Sequence, residues 1–158
     1  MLDSHFIYRP ATNRDSNKII ALVRSVLPEF GLSLSPETSE KDLFDIEQVY
    51  AKNGGVFMVV EDSRKEIVGT AALLQLNDHT GKLRKMYVDK NYRGMHLGDA
   101  LMEAMLQQAA AFGFKTLYLE TVHSMTAAIH LYRKYGFEVV DDETAVSPRC
   151  DMVMRKEI

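Results

Sequence analysis

The ten residues Asp89-Lys90-Asn91-Tyr92-Arg93-Gly94-Met95-His96-Leu97-Gly98 carry the densest chemical signal in the chain. Gly94 and Gly98 let the backbone come close to a ligand, and a helix beginning here would offer its unbonded N–H groups to an anion. Lys82, Arg84, Lys85, Lys90 and Arg93 surround the turn, five cations within twelve residues of a chain whose formal net charge is −3. That asymmetry points to a polyphosphate. A tight turn beside a solvated strand edge would use the same residues. Two other phosphate loops are excluded, because no Gly-Lys-Ser/Thr follows and the two glycines do not have the Gly-x-Gly-x-x-Gly spacing. His5, His79, His96, His123 and His130 show no metal-ligand spacing and none pairs with Cys150 at finger spacing, so no metal is expected. Cys150 itself reads as a packing residue.

The elements that must position this turn follow from periodicity. Phe6 to Arg9 reads as a strand, and Ile19, Leu22, Val23 and Val26 recur at helical spacing, with Thr12 or Asn13 able to cap that helix. Pro28 to Ser39 reads as a surface loop. Leu43, Ile46, Val49 and Tyr50 predict a second helix, stopped at Asn53-Gly54-Gly55. Val56–Glu61 and Ile67–Leu76 are β-rich runs, and a third strand, Leu83–Asp89, leads into the turn. A helix then carries Leu97, Leu101, Ala104, Met105 and Phe112 on one face, and Thr116–Thr121 makes the strand after it. Strand, helix, strand in this order fits a right-handed crossover between parallel neighbours. Ser124 is placed to cap a last helix with Ala128, Leu131, Tyr132 and Tyr135 on one stripe, before terminal strands at Phe137–Val140 and Met152–Met154.

At 158 residues the whole chain, 1–158, reads as a single domain. Hydrophobic residues at 46% and charged residues at 26% supply an ordinary core and exclude wholesale disorder. No apolar run approaches the roughly 20 residues needed to span a bilayer, and the N-terminus lacks a signal pattern, so no membrane partner and a cytoplasmic location are expected. The acidic balance argues against a nucleic-acid partner. An exposed terminal strand near Met152 to Arg155 would let the chain pair as a homodimer.

Arg93-Gly94-Met95-His96-Leu97-Gly98, preceded by Leu83-Arg84-Lys85-Met86-Tyr87-Val88, resembles motif A of the GNAT superfamily of acetyl-CoA-dependent N-acetyltransferases, usually written Gln/Arg-x-x-Gly-x-Gly/Ala. Ala128 to Phe137 resembles the family's motif B helix and following strand. Tyr8-Arg9-Pro10-Ala11-Thr12 with Asp15, and Ile67-Val68-Gly69-Thr70-Ala71, resemble its first and third strands, so the likeness covers nearly the whole chain. It implies an α/β fold with a mixed, mainly antiparallel central sheet, a splayed parallel strand pair and about four flanking helices. It also implies acetyl-CoA as cosubstrate and a primary amine of a small molecule or peptide as acceptor. By the same likeness the backbone of Met86, Tyr87 and Val88 would pair with the pantetheine arm, and the amides of Arg93, Gly94, Met95, His96, Leu97, Gly98 and Asp99 would hold the pyrophosphate. Two departures stand out: His96 where the pattern most often has its middle glycine, and Met125 where many members carry an asparagine, so that a polar cofactor contact would be lost or moved to Ser124.

Acetyl transfer to an amine asks for a polarised carbonyl, a neutral amine and a protonated leaving sulfur. The resemblance implies that Tyr132 sits near the sulfur, where a phenol could donate to it; read on its own helical stripe, Tyr132 fits a core aromatic. A backbone N–H of Met86 or Val88 would face the developing oxyanion. Glu120 is the best placed carboxylate for the base, with solvent as the alternative. Glu29, Asp42 and Asp45 would flank the acceptor pocket and attract a cationic amine. The competing reading is a sensor or adaptor domain of the same fold that has no turnover, made possible by His96 and Met125.

Overall fold

Val56-Phe57-Met58-Val59-Val60 is apolar at every position because both faces of its strand are covered. Met58 and Val60 enter one core with Leu97, Leu101, Met105 and Tyr132, while Phe57 and Val59 enter another with Ile19, Val23, Leu43 and Tyr50. The computed structural model describes residues 5–141, 147 and 149–158. In chain order the elements are β1 (Ile7–Pro10), α1 (Ser16–Val26), α2 (Ile46–Val49), β2 (Val56–Glu61), β3 (Ile67–Asn77), β4 (Thr80–Val88), α3 (Leu97–Ala111), β5 (Thr116–Thr121), α4 (Thr126–Lys134), β6 (Glu138–Val140) and β7 (Met152–Glu157). They form one seven-stranded sheet in the order β1-β2-β3-β4-β5-β7-β6. Only β4 and β5 run parallel; every other neighbouring pair is antiparallel. The expected mixed, mainly antiparallel α/β architecture with a parallel pair is therefore present.

Thr12 starts the first helical segment with a capping box, its side chain meeting Arg14 N while Asp15 reaches back to Thr12 N at 2.8 Å. Arg9 fixes Asp15 from β1 with bonds of 2.9 and 2.8 Å, tying strand to helix.

Three expectations change. The expected second helix is broken: a 3-10 turn at Lys41–Phe44 and the one-turn α2 meet at Asp45, whose side chain caps Gln48 N and whose backbone leaves the helical region. Pro28 to Ser39 is not a mere surface excursion, since Phe30, Leu32 and Leu34 pack against the α1-side core. The terminal strand β7 lies between β5 and β6 with both edges paired, so it offers no free edge for a homodimer. Among the described residues no helix is long and apolar enough to cross a membrane.

Candidate active site

The parallel pairing of β4 with β5 covers only Thr80↔Thr116, Gly81↔Leu117 and Lys82↔Tyr118, after which the strands part. β4 continues to Val88 and β5 to Thr121, so a gap opens in the middle of the sheet. A bulge widens the difference: Thr70 faces Tyr87 whereas Ala72 faces Arg84, which leaves one extra residue on β4. Lys85 absorbs it with φ of 53°, and the Thr70 hydroxyl donates to the Lys85 carbonyl at 2.7 Å. Strand side chains normally alternate between faces. Here Arg84 and Lys85, though consecutive, both reach the Ser39 carbonyl, at 3.4 and 2.8 Å.

Two neighbouring cavities lie at the opening. The larger, about 260 Å³, runs along the outer half of β4 and is walled by Val26, Phe30, Val88, Met125, Ala128 and Leu131. Its far end is the turn after β4: Arg93, Gly94, His96, Leu97, Gly98 and Asp99 border it. The smaller, about 70 Å³, lies in the gap itself and is bordered by Arg84, Lys85, Glu120, Tyr132, Arg149 and Cys150 among others. Met86, Tyr87 and Met125 line both. Nine of the eleven residues expected at the cofactor border the larger cavity, namely Met86, Tyr87, Val88, Arg93, Gly94, His96, Leu97, Gly98 and Asp99. Met95 points out, 41% exposed. Ser124 does not line it: its hydroxyl donates to Phe30 O at 3.4 Å, and Met125, with no side-chain cap, takes the N-cap position of α4. Val26, Phe30 and Met125 are wall residues the sequence reading did not assign.

The turn suits an extended ligand with an apolar arm and a phosphate end. The first bond inside α3 runs from Ala100 N to His96 O at 3.1 Å, so the amides of Leu97, Gly98 and Asp99 have no partner within the helix. Asp99 turns its carboxylate away toward Lys134 Nζ at 2.6 Å and Tyr135 Oη at 2.9 Å, and the Lys134 bond holds it below the usual carboxylate range. His96 adopts φ of 63° and ψ of 23°, the left-handed conformation in which glycine is freest, with its side chain 74% exposed. Histidine tolerates that conformation better than most residues do. A β-branched side chain does not, so His96→Val is expected to cost about 1–2 kcal/mol while His96→Gly stays within about 0.5 kcal/mol, measured by thermal unfolding.

The five cations do not gather on the turn as expected. Lys82 Nζ is bound to Glu120 Oε2 at 2.9 Å, and Glu120 Oε1 accepts from Ser147 N at 2.9 Å. Arg93 forms a two-pronged pair with Glu29 at 2.7 and 3.0 Å, which lowers the Glu29 pKa. Arg84 and Lys85 reach the buried acids Glu40 and Asp42 instead. Among the described residues Lys90 alone of the five has no carboxylate within ion-pair distance. Glu120 redirects Lys82, and the bulge and the acids of segment 29–42 redirect Arg84, Lys85 and Arg93. The expected acidic flank of the acceptor pocket is absent for the same reason: Glu29 is taken by Arg93, Asp42 accepts from the Tyr50 hydroxyl in the interior, and Asp45 caps α2.

Tyr132 borders the gap with its ring edge-on to Phe137, centroids 6.1 Å apart. Burial, then the neighbouring Tyr87, pushes its pKa well up, and among the described residues no group accepts from its hydroxyl. Burial likewise pulls the Lys85 ammonium down, against Asp42 and Glu40, which pull it up. Among the described residues no three His, Cys, Asp or Glu gather as a metal site.

A sheet that parts between two parallel strands, over a turn that begins a helix, defines an acyltransferase of the GNAT kind. The chain belongs to the acetyltransferase (GNAT) family, whose model matches residues 19–137. An uncharacterized N-acetyltransferase of Escherichia coli, YjgM, is 31% identical over 154 residues, covering 94% of this chain and 92% of that protein. A GNAT-family acetyltransferase structure from Staphylococcus aureus superposes with a TM-score of 0.90 at 22% identity, covering 96% of this chain and 98% of the other. A phosphinothricin acetyltransferase from Sinorhizobium meliloti, solved in complex with AcCoA, superposes with a TM-score of 0.74 at 18% identity, over 98% and 89% of the two chains. These two structures establish the likeness of fold.

Proposed function

We propose that the chain transfers the acetyl group of acetyl-CoA directly to a primary amine, with both substrates held at once in the opening between β4 and β5. The observation that carries this reading is that Met86, Tyr87 and Met125 border both cavities, which places them side by side along β4. The apolar groove fits a pantetheine arm, and the free amides at the start of α3 fit a pyrophosphate. Bound there, acetyl-CoA supplies the activated acyl carbon. The amine nitrogen bonds to that carbon as the carbon–sulfur bond breaks. A β4 backbone N–H beyond the bulge, at Met86 or Val88, faces the developing oxyanion. Tyr132 gives its proton to the departing sulfur, for which a phenol kept protonated by burial is suited. Glu120 borders the same gap and takes the proton shed by the amine. Each of its oxygens has one protein donor and retains a further lone pair. The alternative of a domain without turnover rested on His96 and Met125; the exposed side chain and glycine-like backbone of His96 weaken the first of these grounds.

Titrating acetyl-CoA while following thermal unfolding tests the reading without knowledge of the acceptor. At about 100 times its Kd a ligand adds roughly 2.7 kcal/mol, so a saturable rise in Tm of about 5–10 °C is expected. No rise at millimolar acetyl-CoA would overturn it.

A further inference from the structure

The polar groups facing the gap are unbalanced in charge. Arg84, Lys85, Arg149 and Glu120 border it, and Glu120 is already matched by Lys82. The acids that answer the three cations, Glu40 and Asp42, stand behind them rather than in the cavity wall. Among the described residues, two acids against three cations leave one positive charge unanswered. The hydrogen bonds identify which. Arg149 spans both oxygens of Glu40 at 3.0 and 2.7 Å. Lys85 holds the Ser39 carbonyl at 2.8 Å and has Asp42 at 3.3 Å and Glu40 at 3.6 Å. Arg84 makes only two long bonds, to the Tyr50 hydroxyl and the Ser39 carbonyl, both 3.4 Å, and its nearest carboxylate oxygen, on Asp42, is 3.8 Å away. A guanidinium carries five N–H donors, so most of this fork is unspent on a side chain only 23% exposed.

We propose that Arg84 binds a carboxylate of the acceptor, and that the acceptor is a free amino acid with amine and carboxylate a short distance apart. A cationic polyamine would meet net repulsion here, whereas a carboxylate completes the fork with charge-assisted bonds. The placement agrees. Arg84 and Met86 border the same small cavity, about 70 Å³, so an amine beside Met86 and a carboxylate on the Arg84 fork must belong to a compact acceptor. This inference rests on the transferase reading and names its acceptor class.

The test is thiol release from acetyl-CoA by the full chain, with the proteinogenic amino acids, their methyl esters and the matching decarboxylated amines as acceptors. At least one free amino acid should be acetylated with kcat/KM roughly 10- to 100-fold above its ester and its decarboxylated amine. Arg84→Gln should remove that preference, chiefly by raising KM for the free acid, so that free acid and ester are acetylated about equally well. Because the wild-type panel stands alone, a poorly folded Arg84→Gln would not blunt the test. Esters or plain amines acetylated as well as free acids would overturn the assignment, as would an acetyl-CoA-dependent rise in Tm with no amino acid acetylated. Absence of any rise in Tm would instead remove the transferase reading, and this inference with it.

Discussion

Tyr132→Phe is expected to lower kcat by about 10²-fold or more, a barrier increase of roughly 2.7 kcal/mol, with little change in affinity for acetyl-CoA. The substitution deletes one oxygen and keeps the ring, so the edge-on contact with Phe137 and the packing of α4 persist. No described protein group loses a hydrogen bond, because none accepts from that hydroxyl. Tm should therefore stay within about 1 °C of the parent. The pH dependence sharpens the result. Burial raises the phenol above its ordinary value of 10.0, so its proton stays in place through the neutral and mildly alkaline range. The parent enzyme should accordingly show no alkaline loss of kcat from this group below about pH 10. Parent-like turnover in Tyr132→Phe would reduce the hydroxyl to a packing detail.

The turn from Arg93 to Gly98 was legible in the sequence because all of its determinants are local: a strand ending, two glycines and a helix beginning within ten residues. The groove opposite it was not. Val26 and Phe30 come from a different part of the chain, and an apolar residue that lines a groove has the same type and periodicity as one that fills a core. Phe30 also falls in a stretch whose prolines and serines suggest solvent. Charge misled in a similar way. The cations around the turn are real, but their partners are distant in sequence, with Glu29 lying 64 residues from Arg93. The bulge at Lys85 had no glycine to announce it. Simple alternation would put Arg84 and Lys85 on opposite faces, and of the acids that receive them Asp42 read as a flank of the acceptor pocket while nothing local singled out Glu40. The second helix failed for another reason, since Asp45 interrupts an acceptable apolar stripe by capping a new turn.

That bulge sets up the largest stability effect expected in the protein. Lys85 has 5% of its side chain exposed, Glu40 none and Asp42 5%, so its ammonium stands between two carboxylates that water barely reaches. Asp42 Oδ1 has no hydrogen-bond donor, and Lys85 Nζ at 3.3 Å is its nearest cation. Lys85→Met keeps the length and most of the volume of the side chain but takes the charge away, and with it the bond to the Ser39 carbonyl. Stranding buried charge in this way typically costs 3–5 kcal/mol, whereas replacing a whole buried ionic group by neutral residues is often close to neutral. Lys85→Met should therefore lower Tm on the order of 10 °C in thermal unfolding. Adding Asp42→Asn should return roughly 1–2 kcal/mol, because the amide oxygen can still accept from Tyr50 while a buried carboxylate left with only Arg84, at 3.8 Å, is gone. The direction of that second step separates two accounts of the site. Recovery means that Lys85 is held in the left-handed conformation by the acids it neutralises, so that Arg84 and the β4 amides are aimed at the gap by a buried ion pair. Further loss would mean that the bulge stands on the backbone and the Thr70 bond alone, with Asp42 needed for Tyr50 rather than for Lys85.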